Sequence, residues 1–165
     1  MRVLGIDPGT LNLGYGIVEE VGGVVSMVEC GVIALSSKIP VEQRLCSIYD
    51  KLNEVIVHFR PDEVAIEEPF VADNARSALA VGRAQAIAIL AASKRMLPVF
   101  RYMPTQVKQQ VADYGFSSKE QVQEMVKIQL GLSSPPRSRD AADALAVAIC
   151  HLHLRRLNHL LAENQ

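Results

Sequence analysis

Asp7 closes the short apolar run Val3 to Ile6, and Pro8-Gly9 follows at once, so an acid stands at the last position of a strand that reads as buried on both faces. Glu67 repeats the arrangement at the end of Glu63-Val64-Ala65-Ile66-Glu67, where Glu68-Pro69 breaks the run. Asp140 and Asp143 lie three apart in Ser138-Arg139-Asp140-Ala141-Ala142-Asp143-Ala144-Leu145. On a helix that spacing makes them neighbours on one face, with Cβ atoms about 5–6 Å apart. An ionised carboxylate taken from water needs a cation or several donors to offset its desolvation. Asp143 sits among small and apolar residues beside a second like charge, an arrangement that a divalent cation would relieve. Carboxylate oxygens without a His or Cys cluster select Mg²⁺ or Mn²⁺. Such a site can hold two ions about 3.5–4 Å apart, one activating water and the other stabilising the leaving oxygen of a phosphodiester. The expected chemistry is phosphodiester hydrolysis, with Asp7 bridging both ions and Glu67 and the helical pair holding one each from either side.

Each acid also has an ordinary reading. Asp7 can be an Asx-turn acid bonding the amides of Gly9 and Thr10, and Glu67-Glu68 can be a solvated acidic loop. Asp140 can be a helix cap that complements the helix dipole. Asp143 fits that alternative poorly, and the metal accounts for both helical acids.

The elements around these residues must bring them together. Leu11 to Glu19 resume an extended pattern in which Gly14 and Gly16 suit close backbone approach at a strand edge facing a site but read first as ordinary strand glycines, Glu20 to Gly23 turn, and Val24 to Leu35 continue an antiparallel meander. Pro40 suits a first helical turn, and Leu45, Ile48, Tyr49, Leu52, Val55, Ile56 and Phe59 recur at helical spacing until Arg60-Pro61. A strand, a crossover helix and another buried strand favour parallel pairing, which brings Asp7 and Glu67 to one sheet edge. Asp73 or Asn74 can cap a long apolar helix from Ala75 to Arg95. Leu97 to Tyr102 is a further strand, Pro104 opens a helix carrying Lys108, and Ser118 can cap the helix Lys119 to Leu130.

At 165 residues and half apolar, the chain reads as one globular domain, 1–165. Cys30, Cys46 and Cys150 are odd in number and widely spaced, which argues against disulfides and a zinc site and suggests core positions. No signal-like start and no apolar run of membrane-spanning length occurs, so the expectation is a soluble cytoplasmic protein without membrane partners. The net charge of -1 neither favours nor opposes nucleic acid, because phosphate binding needs only local positive charge.

The motifs Gly5-Ile6-Asp7-Pro8-Gly9, Ala65-Ile66-Glu67, Asn74-Ala75-Arg76-Ser77-Ala78 and Asp140-Ala141-Ala142-Asp143-Ala144-Leu145-Ala146 together closely resemble the RuvC family of Holliday junction resolvases, within the ribonuclease H-like superfamily. The resemblance runs from Arg2 to about His153. It implies an α/β fold with a five-stranded mixed sheet and helices on both faces, acting as a homodimer on four-way DNA junctions alongside junction-binding and branch-migration helicase proteins. It implies that Asp7, Glu67, Asp140 and Asp143 form a catalytic, metal-binding tetrad, that Phe70 probes the junction, and that Lys108 and Lys119 contact DNA. The sequence departs from the family pattern in setting Glu68 beside Glu67 and Pro69 before Phe70.

Three other readings compete. Ile6-Asp7-Pro8-Gly9-Thr10 also resembles the first phosphate loop of actin-like kinases and ATPases, but those need two such subdomains and 165 residues supply one. A non-catalytic nucleic-acid binder would have no need for four acids. A ribonuclease H-like enzyme acting on RNA or simple duplex is set aside only through the resemblance. For the dimer, the apolar helix from Ala75, with Ala78, Ala80, Gly82, Ala84 and Ala86, is the expected surface, and simple burial against the sheet is the alternative.

Overall fold

The computed structural model describes residues 1–68, 75–112 and 118–163. Five strands, β1 (Arg2–Asp7), β2 (Asn12–Val21), β3 (Val24–Ala34), β4 (Glu63–Glu67) and β5 (Val99–Tyr102), form one sheet in the order β3-β2-β1-β4-β5. The first three make the antiparallel meander, and β4 and β5 join in parallel. The helices are α1 (Val41–Phe59), α2 (Ala75–Ser93), α3 (Pro104–Ala112), α4 (Lys119–Gln129) and α5 (Arg139–Glu163).

Side chains alternate across a strand, and the alternation divides this molecule into two cores. Leu4 and Ile6 of β1 and Val64 and Ile66 of β4 pack with Ile48, Leu52 and Ile56 of α1 and with the alanines Ala84, Ala88, Ala91 and Ala92 of α2. Val3 of β1, Ala65 of β4 and Val18 of β2 pack on the other face with α3, α4 and α5. Asp7 and Glu67 continue the second set at period two, so both acids belong to the face that α5 covers. From Ala141 to Leu152 that helix is buried almost all round, because it lies between the sheet and the pair α3 and α4. Each fully buried Leu or Ile in these layers contributes roughly 1.5–3 kcal/mol relative to exposure.

Local signals account for most boundaries. Arg60 ends α1 in the left-handed region at φ 49°, and its amide donates to the Ile56 carbonyl. Ser118 caps α4 as expected: its Oγ accepts from the Gln121 amide at 3.2 Å and the Gln121 side chain accepts from the Ser118 amide at 2.7 Å. Three expectations shift. Strand β2 runs on to Val21, and the turn is the pair Gly22-Gly23 with φ of 58° and 82°, the conformation that a two-residue hairpin needs. Pro40 stands just before α1 rather than in its first turn. Of the cysteines, only Cys150 is a core residue; Cys30 is half-buried and Cys46 exposed, and all three are free thiols. Asp73 and Asn74, read as caps for α2, lie outside the described residues. Among the described residues no helix is long and apolar enough to cross a membrane.

Candidate active site

The site is built on one row of the sheet. Ile6 pairs with Ile66, so Asp7 and Glu67 stand side by side one residue further on, at the carboxyl ends of β1 and β4. Asp7 also pairs with Gly14 of β2, and Glu67 with Tyr102 of β5. Gly14, Asp7, Glu67 and Tyr102 therefore cross four strands at one level.

Helix α5 is seated on that row by glycine. A methyl group at Gly14 would lie 2.0 Å from the Asp140 carbonyl oxygen, and one at Gly5 would lie 2.0 Å from that of Ala144. Gly16, the partner of Gly5, lies beneath Leu145. Of the two readings of Gly14 and Gly16, the structure has the close backbone approach and not the favoured one of ordinary strand glycines: both admit the helix backbone. With the Asp140 backbone resting on the strand partner of Asp7, the first turn of α5 is brought over the end of β1.

Asp143 faces the other neighbour. It lines a cavity of about 160 Å³ together with Glu67 and with Pro104, Val107 and Lys108 of α3 and Val122 of α4. Asp7, Glu67, Asp140 and Asp143 are all half-buried, a state in which a carboxylate keeps one side open to a ligand. The cap of α5 belongs to Ser138, whose Oγ accepts from the Ala141 amide at 3.5 Å and whose carbonyl accepts from the Ala142 amide at 3.0 Å. Asp140 is thus a first-turn acid and not the cap.

The donor set suits a hard divalent cation, since it is all carboxylate oxygen. Among the described residues no three His, Cys, Asp or Glu side chains are gathered into one cage. Magnesium is commonly held by one or two carboxylates, with water and substrate phosphate completing its shell, and the row of acids fits that mode. Beneath the site, burial and then the charge of Glu67 push the Cys150 thiol up to about 12. It stays protonated, with Sγ 3.9 Å from the Gln106 carbonyl.

The remaining expected residues fall as follows. Lys108 lies in the cavity with Glu67 and Asp143, and Lys119 opens α4. Phe70 lies outside the described residues. Glu68 comes within 3.8 Å of Arg101 Nε, an ion pair with β5. Sequence reasoning missed a polar cluster in which the buried Glu63 and His151 join the half-buried Tyr102 at the end of the row. Its signals were an acid at the inward position that opens β4 and a histidine inside the apolar run of α5.

The family model described as crossover junction endodeoxyribonuclease RuvC matches residues 3–151. The chain is 49% identical over 163 residues to a crossover junction endodeoxyribonuclease RuvC of Dehalococcoides mccartyi, covering 99% of this chain and 98% of that protein. It is 50% identical over 153 residues to the protein of the same name from Pelotomaculum thermopropionicum, covering 93% of each. Its structure matches that of Thermus thermophilus RuvC in complex with Holliday junction substrate with a TM-score of 0.90 and 38% identity, covering 96% of both chains.

Proposed function

The chain belongs to the RuvC family of crossover junction endodeoxyribonucleases, and on that footing we propose that it resolves four-way DNA junctions by hydrolysing phosphodiesters at Asp7, Glu67, Asp140 and Asp143. The observation that supports these roles is the shared level of Asp7 and Glu67, with the first turn of α5 seated on the strand partner of Asp7.

The family depends on a divalent metal, and Mg²⁺, with Mn²⁺ as a substitute, is the cation these oxygens suit. Two such ions would supply Lewis-acid polarisation of the phosphate and a more acidic water. Asp7 would serve both ions, with Glu67 beside it on the row, Asp143 lining the cavity with Glu67, and Asp140 on the first turn of α5. Lys108 brings a positive charge to the same cavity, where a phosphate would meet it, and Lys119 at the start of α4 is the second phosphate contact. Phe70 is the aromatic that would probe the junction.

Incubation with a four-way junction, a linear duplex and an RNA–DNA hybrid, each with Mg²⁺ or chelator, tests the reading. Paired symmetrical nicks are expected in the junction alone, and none with chelator. Asp7→Asn, Glu67→Gln, Asp140→Asn and Asp143→Asn should each abolish cutting and leave junction binding intact, since removing negative charge does not weaken attraction to phosphate. Full activity in chelator, or cutting of hybrid in preference to junction, would overturn it.

Two symmetric nicks require two sites, and one chain supplies one. A C₂ dimer is the proposed assembly, with branch-migration helicase proteins as further partners. Helix α2 buries its alanine face while Leu79 and Leu90 stand outward at 56% and 48% exposure, which favours it as the dimer surface over simple burial. Leu79→Asp should give a folded monomer that nicks one strand or none. A Leu79→Asp protein that still sediments as a dimer would exclude this helix.

A further inference from the structure

Behind the row of acids, one imidazole joins three elements. Nε2 of His151 lies 2.6 Å from Glu63 Oε2, and Nδ1 lies 2.7 Å from the hydroxyl of Tyr102. Arg155 Nη1 donates to the other oxygen of Glu63 at 2.5 Å. His151 is buried to 1% exposure, and Phe100 packs on its ring with centroids 4.5 Å apart. Burial lowers the proton affinity of the imidazole and outweighs the opposing pull of Glu63. A neutral ring then has a single proton assignment: Nε2–H donates to Glu63, and Nδ1 accepts from Tyr102.

The two ends of this relay grip the strand that carries Glu67. Glu63 is the first residue of β4, whereas Tyr102 ends β5 as the strand partner of Glu67, the last. The Tyr102 carbonyl accepts from the Glu68 amide at 2.8 Å, so the residue that holds the ring also holds the chain where it leaves the site. On α5 the ring lies eight residues, about 12 Å of helix, beyond Asp143. An apolar trio of the same shape would pack at no loss of stability, but it would lack direction.

We propose that His151 is a positioning residue: by joining Tyr102 and Glu63 it sets the height of Glu67 against Asp143, and so the distance between the acids that share a metal. The proposal rests on the reading of those acids as the cleavage site. Tyr102→Phe keeps the ring and removes the hydroxyl; His151→Gln keeps an amide donor for Glu63, and its one acceptor, the amide oxygen, branches from Cδ and not at the Nδ1 position that faces Tyr102. Both cut the same bond.

The test combines amide exchange of the metal-free protein with single-turnover cutting of a synthetic four-way junction across a MgCl₂ series, with Glu67→Gln as control. Both variants are expected to speed exchange at the Glu68 amide. They should raise the Mg²⁺ concentration for half-maximal cutting by about tenfold, the lower end for partners of metal ligands, and leave metal-free junction binding within twofold. The double variant should be no worse than either single one, because one bond cannot be removed twice. Folded variants with an unchanged Mg²⁺ midpoint, or additive effects in the double, overturn the proposal; if His151→Gln fails to fold, Tyr102→Phe alone decides. An active Glu67→Gln would instead refute the reading of the acids.

Discussion

The two halves of α5 are held against the sheet by opposite means. From Asp140 to Leu145 the helix backbone rests on Gly14, Gly5 and Gly16 with no room for a methyl group. From His151 to Arg155 it is held at arm's length by hydrogen bonds to Glu63 and Tyr102. A steric seat fixes position by exclusion and tolerates no addition, whereas a hydrogen-bonded brace fixes it by direction and answers to protonation. The acids lie at the seated end, where backbone contact leaves the least freedom.

The seat is the easier device to break. Gly5→Ala puts a methyl group against the Ala144 carbonyl in the middle of the layer and is expected to cost about 3 kcal/mol. For a chain of this size that lowers the melting temperature by about 6–12 °C, measurable by circular dichroism. Gly14→Ala lies at the end of the strand, where the first turn of α5 can lift. It should unfold the protein less but reduce junction cutting by about 100-fold, the effect of moving a reacting group by about 1 Å. A Gly14→Ala enzyme with normal activity would show that Asp140 does not depend on the seat.

At the other end, His151→Leu leaves Tyr102 and one oxygen of Glu63 without their partner and should cost about 1–3 kcal/mol. Its pH dependence sharpens the contrast. The groups that face the ring are Glu63 of β4, Phe100 and Tyr102 of β5, and Arg155 of α5 itself. Their net effect with burial is to lower the pKa in the fold below the ordinary value of about 6.5. As pH falls through that value the unfolded chain takes up a proton that the folded chain refuses, so stability falls with falling pH until the lowered folded value is reached. Denaturant melts of the wild type should show this decline, and the difference from His151→Leu should narrow as pH falls. A difference independent of pH would mean that the ring is not held neutral.

Lys108 belongs to neither device, and its effect should be the smallest. Lys108→Ala is expected to leave stability within about 0.5 kcal/mol and to reduce the slope of log binding constant against log salt by about one unit. An unchanged slope would remove it from the phosphate path.

By itself the sequence determined where the acids fall and which strands carry them. An apolar run that ends on Asp7 before Pro8-Gly9, repeated at Glu67, reveals two buried strand ends, because period-two burial and proline breaks are local consequences of backbone geometry. A helix between them called for parallel pairing, and that pairing puts Asp7 beside Glu67. The cap at Ser118 was legible for the same local reason. Tertiary structure alone decided what rests on the α5 face of the sheet. Alternation places Gly14, Gly16 and Glu63 on that face, but a glycine reads the same whether it meets solvent or a helix backbone. The bonds of His151 to Glu63 and Tyr102 span 88 and 49 residues of chain, and no spacing rule reaches that far. Such contacts depend on the register of whole elements, which is set only when the helix has found its seat.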